Sequence, residues 1–544
     1  MQAPATRRPP RRAAIPLATL LTAAVASTPT GLPADPGGDV ITGPYASLLA
    51  ASQDLGPSRA DTAQLTVTLP TRGRPAALTD WAESRGLSVR WHYGADWAVV
   101  SGPAGNLATA FDSPVHDFKG RLGQTFYASA VQPRVPSELG GMVSTVGRIL
   151  SYLPIRDAHP PLPLDVPRPG LKPQDLLRAY NATPLAEAGY TGRGQTVVVF
   201  AFDGFDQRDL DEFSDTMGLP RFTPEVVAGP LGPVHGEAVM DTEVVHAIAP
   251  DARVVVVNAR QTVEGGGTFE KIARMFDDAT SSYPDSVWTL SIGWGCEALA
   301  TPADLAPIRA ALVNAHARGV TVFDASGDNA GLECKGGRDW SSPPGPDHVG
   351  VDAIATLPEM TSVGGTTLST DTHGRWMEEW GWTDPPLSQG SSGGVSRLFE
   401  RPDYQRDLPP FRGADHRLVP DVSAVADPFT GMQIVVDGTP QIGGGTSQAA
   451  PIWAGMTALM NQFLVDNGGR TVGDINPLLY RMAQGSQRPG FQDIVAGANA
   501  VDTPVKGYDL VTGLGSPSVD HLARNVLDAQ RAQLQATDYL PAEG

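Results

Sequence analysis

The sequence predicts an α/β protein, a mostly parallel sheet wrapped by helices, preceded by a small α+β domain. Three observations carry this. Residues 196–202, 253–257, 286–292 and 320–325 are continuous apolar runs, as in strands buried on both faces, and helical segments alternate with them. Residues 156–173 are dense in proline (Pro160, Pro161, Pro163, Pro167, Pro169, Pro173) and lack apolar periodicity, which marks a linker. Ahead of it, Gln64 to Leu69 alternates apolar and polar side chains as a half-buried strand does.

Taken in order, residues 1–27 have the layout of a secretory signal. Arg7, Arg8, Arg11 and Arg12 precede an apolar run that ends in Ala24-Val25-Ala26. The run is shorter than the ~20 residues a membrane span needs. No later stretch does better, so an exported, soluble, extracellular chain is expected, with no membrane partner. Residues 44–155 form the small domain: strands at 64–69, 97–101 and 124–128, helices at 76–85 and 107–111, and one helical segment over 136–153. A compact module on an exposed linker suggests a removable pro-segment, with its processing site in 156–173. The larger domain covers 174–530, with helices expected at 207–217, 236–249, 269–281 and 306–318.

Asp plus Glu exceed Lys plus Arg by 59 to 40, a net charge of −19, and no basic face emerges. Nucleic acid is therefore excluded as a partner. Two cysteines, Cys296 and Cys334, are too few for a disulfide framework and leave a single bridge open.

The chemistry concentrates in three stretches. In Gly443-Gly444-Gly445-Thr446-Ser447-Gln448-Ala449-Ala450-Pro451 the glycines permit close backbone approach, and the following residues read as a buried helix. Pro451 is tolerated in a first turn, which places Ser447 near the helix start beside free N–H groups. There it is either a nucleophile or a cap. Glu237 and Asp241 are four residues apart, on one face of a helix. Two carboxyls that close share a proton, and such a pair can serve a serine as general base where imidazole is protonated. A solvated acidic helix start is the alternative. Asp328, in Ser326-Gly327-Asp328, ends a strand; protonated it could donate to an oxyanion, otherwise it makes an Asx-turn.

With these residues in view, the chain resembles the sedolisins, the serine-carboxyl peptidases. Gly445-Thr446-Ser447-x-x-Ala450-Pro451 is similar to their nucleophile motif, Glu237-x-x-x-Asp241 to their carboxylate pair, and Ser326-Gly327-Asp328 to their oxyanion-hole aspartate. Ser291-Ile292-Gly293-Trp294-Gly295, Val363 to Thr366 and Ser392 to Ser396 fit as well. The resemblance spans residues 170–530 and makes the N-terminal module an activation domain. It implies a subtilisin-like fold and an acid-active endopeptidase, monomeric, acting on proteins or peptides. By it Ser447 attacks, Glu237 takes the proton, Asp241 supports Glu237, and Asp328 donates to the oxyanion. It also implies a Ca²⁺ site made of the Asp493 and Asp509 carboxylates and the carbonyls of Ile494, Val505 and Gly507, with valine at 505 where relatives have glycine. A hard oxygen shell of this kind suits Ca²⁺. Where many relatives extend the carboxylate chain with a glutamate after the first core strand, this sequence has Ala201, with Asp203 two residues on. Trp294 stands where relatives carry a tryptophan.

Two rivals remain. Asp203, His235 and Ser447 occur in the order of a subtilisin Asp-His-Ser triad, although Glu237 replaces the threonine expected after His-Gly. A non-catalytic secreted protein that kept the fold is the other.

Overall fold

The computed structural model describes residues 39–120, 125–152, 156–157, 170–260, 269–335, 347–384, 389–409, 411 and 413–538. The signal-like residues 1–27 and residues 158–169 of the linker lie outside the described residues.

The centre of the large domain is an eight-stranded sheet. Its path runs Glu225–Val227, Arg253–Asn258, Thr196–Ala201, Val287–Leu290, Thr321–Ala325, Thr361–Thr370 and Trp376–Gly381, with Val422–Val425 also pairing with Thr361–Thr370. All pairings are parallel except the last step to Trp376–Gly381, which is antiparallel. The first core strand Thr196–Ala201 (TVVVFA) is buried along nearly its whole length, as its unbroken apolar run requires. Helices cover both faces. Against one lie Glu237–Ile248 and Thr446–Asp466; against the other lie Phe269–Ser282 and Pro302–Ala317. The first two cross closely at Gly455, where a Cβ would fall 3.0 Å from that of Ile248. All twelve residues of Glu237–Ile248 are buried, acids included.

The expected run at 286–292 is divided. Val287–Leu290 belongs to the central sheet, and Ile292–Gly293 leaves it to pair with Arg156–Asp157 in an antiparallel ladder. Ser291 sits at the parting. Helix 306–318 starts earlier than expected, at Pro302, because Thr301 and Asp304 form a capping box.

In the small domain the strands Ala63–Thr68, Trp97–Gly102 and Thr125–Ala128 and the helices Ala76–Glu83 and Ala104–Ala110 stand where the sequence predicts them. The helix expected over 136–153 does not form. Only a 3₁₀ turn, Ser137–Leu139, appears, and Thr145–Val146 instead pairs with Ala63–Thr68. Gly140 and Gly141 interrupt the segment, with Gly141 at φ 78°, and the β-branched Val143, Thr145 and Val146 favour the sheet edge. This edge also meets the large domain. The Arg148 backbone N–H donates to both Asp304 carboxylate oxygens (3.0 and 3.2 Å), and Gly147 lies so near Asp304 that a Cβ would collide with it. A second tie is Arg90 Nη2 to Glu270 Oε2 at 2.8 Å.

Cys296 and Cys334 are joined in a disulfide across 38 residues, linking the chain just after Trp294 to the loop that follows Asp328.

Candidate active site

The candidate residues converge at the carboxyl ends of the core strands, where parallel sheets place their ligands. Ser447 is the second residue of Thr446–Asp466, whose N-cap is Gly445 at φ 80°. Glycine is required there twice over: by the positive φ, and because a Cβ would lie 2.7 Å from Asp328 Oδ2. Pro451 falls beyond the first turn, contrary to expectation. Its missing N–H leaves the Ser447 carbonyl without the usual donor four residues on, and the Ser291 hydroxyl lies 3.0 Å from that oxygen instead.

Glu237 opens its helix and Asp241 lies one turn on, both buried. Burial, first of all, pushes both carboxyls well above their ordinary range. For Glu237 the charges of Asp241, Asp203 and Asp328 push the same way, while the nearby Ser447 hydroxyl favours the carboxylate. For Asp241 the Ser291 hydroxyl, 2.8 Å from Oδ1, opposes the rise. The Glu237 Oε1 atom is buried and accepts no formed hydrogen bond among the described residues, so a lone pair is left for a serine proton. The solvated acidic helix start is thus not what the fold builds.

Asp328 is oriented by its neighbour in the chain's most distant motif. Its Oδ1 accepts both the backbone N–H and the Oγ1 hydrogen of Thr446, each at 2.7 Å, while Thr446 Oγ1 accepts from the Gly327 N–H. With Oδ1 occupied by donors, a proton on Asp328 resides on Oδ2. Burial pushes this carboxyl up to about 6, against the two Thr446 hydrogen bonds and with help from Glu333. In mild acid it is a hydrogen-bond donor beside Ser447.

Asp203 does not extend the carboxyl chain. Its oxygens accept the backbone N–H groups of His235 (3.0 Å), Glu237 (3.1 Å) and Ala238 (2.8 Å), so it caps the helix that carries the pair. The rival triad needs an Asp203 hydrogen bond to the His235 imidazole; Asp203 holds that residue's backbone instead, and the His235 side chain is exposed. Trp294 packs edge-on against Phe202 at 5.6 Å, and nearby Asp324 is a buried acid whose carboxyl burial pushes well above its ordinary range. Ser291 and Thr446 were legible only as parts of motifs; nothing local announces that each bridges to an acid far off in the chain.

The chain segments flanking residues 158–169 are anchored beside the same centre. Arg156–Asp157 pairs with Ile292–Gly293 on one side. On the other, Leu171 donates to Gly431 O (2.8 Å) and accepts from Gln433 N (2.9 Å), and the neighbouring Met432 N–H donates to Gln448 Oε1 (3.0 Å).

The expected calcium ligands also lie together. Both Asp493 oxygens accept the Gly507 N–H (3.0 and 3.1 Å), which clamps the two loops to each other. Asp509 is buried, and burial pushes it up to about 6 although the Val511 and Thr512 N–H groups reach it at 2.8 Å. A cation there would remove that cost, and the donor set is all oxygen, so the residues fit Ca²⁺. Among the described residues no three His, Cys, Asp or Glu side chains converge, so the shell would have to include carbonyls.

These features define a subtilisin-like α/β fold with a serine at a helix start, two buried carboxyls on a neighbouring helix, and a docked N-terminal module. Comparison with known proteins sharpens this. Residues 65–152 match the pro-kumamolisin activation domain, and residues 227–496 match the subtilase family. Kumamolisin from Bacillus sp. (strain MN-32) is 32% identical over 498 residues, 84% of this chain and 84% of that protein. Sedolisin from Pseudomonas sp. (strain 101) is 27% identical over 493 residues, covering 84% and 79%. Mouse (Mus musculus) tripeptidyl-peptidase 1 is 27% identical over 447 residues, covering 76% and 75%. The solved structure of Pseudomonas sedolisin, a serine-carboxyl proteinase complexed with pseudo-iodotyrostatin, shares the fold. Its TM-score is 0.56 at 24% identity, over 66% of this chain and 98% of that one. The chain belongs to the sedolisin family of serine-carboxyl peptidases, and it carries that family's activation domain.

The buried acids set a sign for stability. Asp328 and Asp304 are pushed up to about 6, and Glu297 and Asp352 to about 7, each chiefly by burial. Between the ordinary carboxyl range and pH 7 the native state therefore holds more protons than the unfolded chain. Stability is greatest at the acid end of that window and declines as pH rises through it. Glu270, held low by Arg90 against the push of burial, works the other way, as do Asp54, Asp206, Asp215 and Asp371 and the buried His246, pushed down to about 4, but the raised acids outnumber them. For a Ser447→Ala precursor in high salt, which screens the net charge, Tm should be higher at about pH 4.5 than at about pH 7.5. A Tm that rises with pH over this range contradicts the sign.

Proposed function

We propose that the protein is a secreted, acid-active endopeptidase made as a self-processing precursor. The observation that supports this reading is the burial of Glu237 and Asp241 one helical turn apart, with the Ser447 hydroxyl acting on Glu237 and with Ser291 reaching both Asp241 and the Ser447 carbonyl. Ser447 Oγ attacks the peptide carbonyl as Glu237 takes its proton. Asp241, protonated and so neutral, spares Glu237 a second negative charge beside it before transfer. Asp328 Oδ2–H donates to the oxyanion, the role for which its other oxygen is occupied by Thr446. Glu237 then returns the proton to the departing amine, and water clears the acyl-enzyme by the same path. Substrates are protein or peptide chains, and the enzyme acts as a monomer.

Self-processing is supported by the anchoring of the flanking segments, Arg156–Asp157 on Ile292–Gly293 next to Ser291 and Leu171 on Gly431 and Gln433. The N-terminal module, held through Arg90 and Arg148, is the intramolecular inhibitor. Secretion is supported by the Cys296–Cys334 bridge, which persists in oxidising compartments. Among the described residues no helix is long and apolar enough to cross a membrane. Asp493, Asp509 and the carbonyls of Ile494, Val505 and Gly507 hold Ca²⁺, which ties two C-terminal loops and takes no part in bond cleavage.

Two experiments test this. A Glu237→Gln precursor should neither release its N-terminal module in acid nor cut a denatured protein, a loss of at least ~10²-fold. His235→Ala should retain both activities and yield internal fragments rather than tripeptides. The reverse pattern would hand the chemistry to an Asp-His-Ser triad. For the metal, EDTA at matched ionic strength should lower Tm by several degrees, and added Ca²⁺ should restore it. An unchanged melt removes calcium from the account.

A further inference from the structure

Ser291 occupies a position the proposed mechanism does not use. It is buried, at 3% exposure, where the Val287–Leu290 strand parts from Ile292–Gly293. Its Oγ lies 2.8 Å from Asp241 Oδ1 and 3.0 Å from the backbone carbonyl oxygen of Ser447. A hydroxyl has one hydrogen, so it can donate to only one of these at a time. The carbonyl can only accept, and the helix offers it no N–H four residues on, because that residue is Pro451. Asp241 can either accept from Ser291 or, when protonated, donate to it. The two arrangements exclude each other.

We propose that Ser291 is a positioning residue that ties the protonation of Asp241 to the backbone of the nucleophile. With Asp241 protonated, its hydrogen goes to Ser291 Oγ and the Ser291 hydrogen goes to the Ser447 carbonyl, pinning the helix start that carries the attacking hydroxyl. When Asp241 ionises, the Ser291 hydrogen turns to the carboxylate and the carbonyl loses its donor. The nucleophile is therefore held in place in the protonation state that leaves Glu237 as the base. The inference rests on the carboxyl-pair mechanism proposed above. The titratable groups that face the pair from outside are Asp203 after the first core strand, which acts on both members, and Asp328 from the Thr321–Ala325 strand end, which acts on Glu237; both are acids. From the Val287–Leu290 strand end, Asp241 meets the neutral Ser291, which also reaches the Ser447 carbonyl.

The test is the pH dependence of kcat for the acid-activated full chain. Its alkaline limb reports loss of the pair's last proton, a property of the pair as a whole. Ser291→Ala removes the donor that ionised Asp241 relies on, so the limb should move to higher pH by about one unit, with kcat reduced about tenfold and KM little changed. Pro451→Ala gives the Ser447 carbonyl a helix N–H, frees Ser291 for Asp241, and should move the limb to lower pH. In the double variant the Pro451 change should add nothing to the shift caused by Ser291→Ala. Opposite shifts, abolished in the double variant, support the coupling. No shift in Ser291→Ala, or shifts of the same sign in both, overturn it. Should Pro451→Ala fail to fold, as read by circular dichroism, Ser291→Thr decides: it keeps the hydroxyl and must restore the wild-type limb. An inactive Glu237→Gln beside an unmoved Ser291→Ala profile removes only this coupling; an active Glu237→Gln removes the mechanism beneath it.

Discussion

Two carboxyls one helical turn apart, taken out of water and set against a serine hydroxyl, impose the constraint from which the rest of the site follows. Ionising both would put like charges at close range in a poorly polarisable interior, so one proton is retained. The retained proton makes the pair a base and an acid at once. On the mechanism proposed above, the chemistry needs that proton in place, so the working range lies below the pH at which the pair loses it. Asp328 follows the same rule: burial pushes its carboxyl up to about 6, so in mild acid it keeps a proton it can donate.

The fold pays for this arrangement through backbone geometry. The helix Glu237–Ile248 is buried all round, so its first N–H groups cannot turn to solvent; Asp203 receives three of them and fixes the entry angle. Such a cap is worth ~1 kcal/mol by itself, and more where the helix start is enclosed. The nucleophile helix is set by Gly445, pressed against Asp328, and by Gly455, pressed against Ile248. Gly445 thus seats the helix start against the Asp328 loop, and Gly455 seats the helix against Glu237–Ile248. Thr446 contributes twice, to Asp328 and to the Gly327 backbone. A single residue thereby joins the two loops that an oxyanion would meet.

Much of this was legible in the sequence. The parallel core declared itself in apolar runs such as Thr196–Ala201. The four-residue spacing of Glu237 and Asp241 placed them on one helical face, and the glycine run before Ser447 placed it at a helix start. What escaped was what depends on contacts between distant segments. Asp203 reads as a loop acid because nothing nearby reveals which N–H groups it will meet. Pro451 was expected in a first turn, since a proline deeper in a helix loses a hydrogen bond; here Ser291, 160 residues earlier, supplies a hydroxyl to the orphaned carbonyl. The segment 136–153 has apolar residues at helix-like spacing, but its glycines and the adjoining strand decide otherwise. Cysteine count left a bridge open, and only the proximity of the two loops closed it.

The most direct measurement is a profile of kcat/KM against pH on a denatured protein substrate. At about pH 4 an unperturbed imidazole is neutral in roughly one molecule in three hundred, whereas a carboxyl pair retains its working proton. The account predicts full activity there and a decline toward neutrality. A rate that falls away below about pH 6 and peaks near neutrality would contradict it.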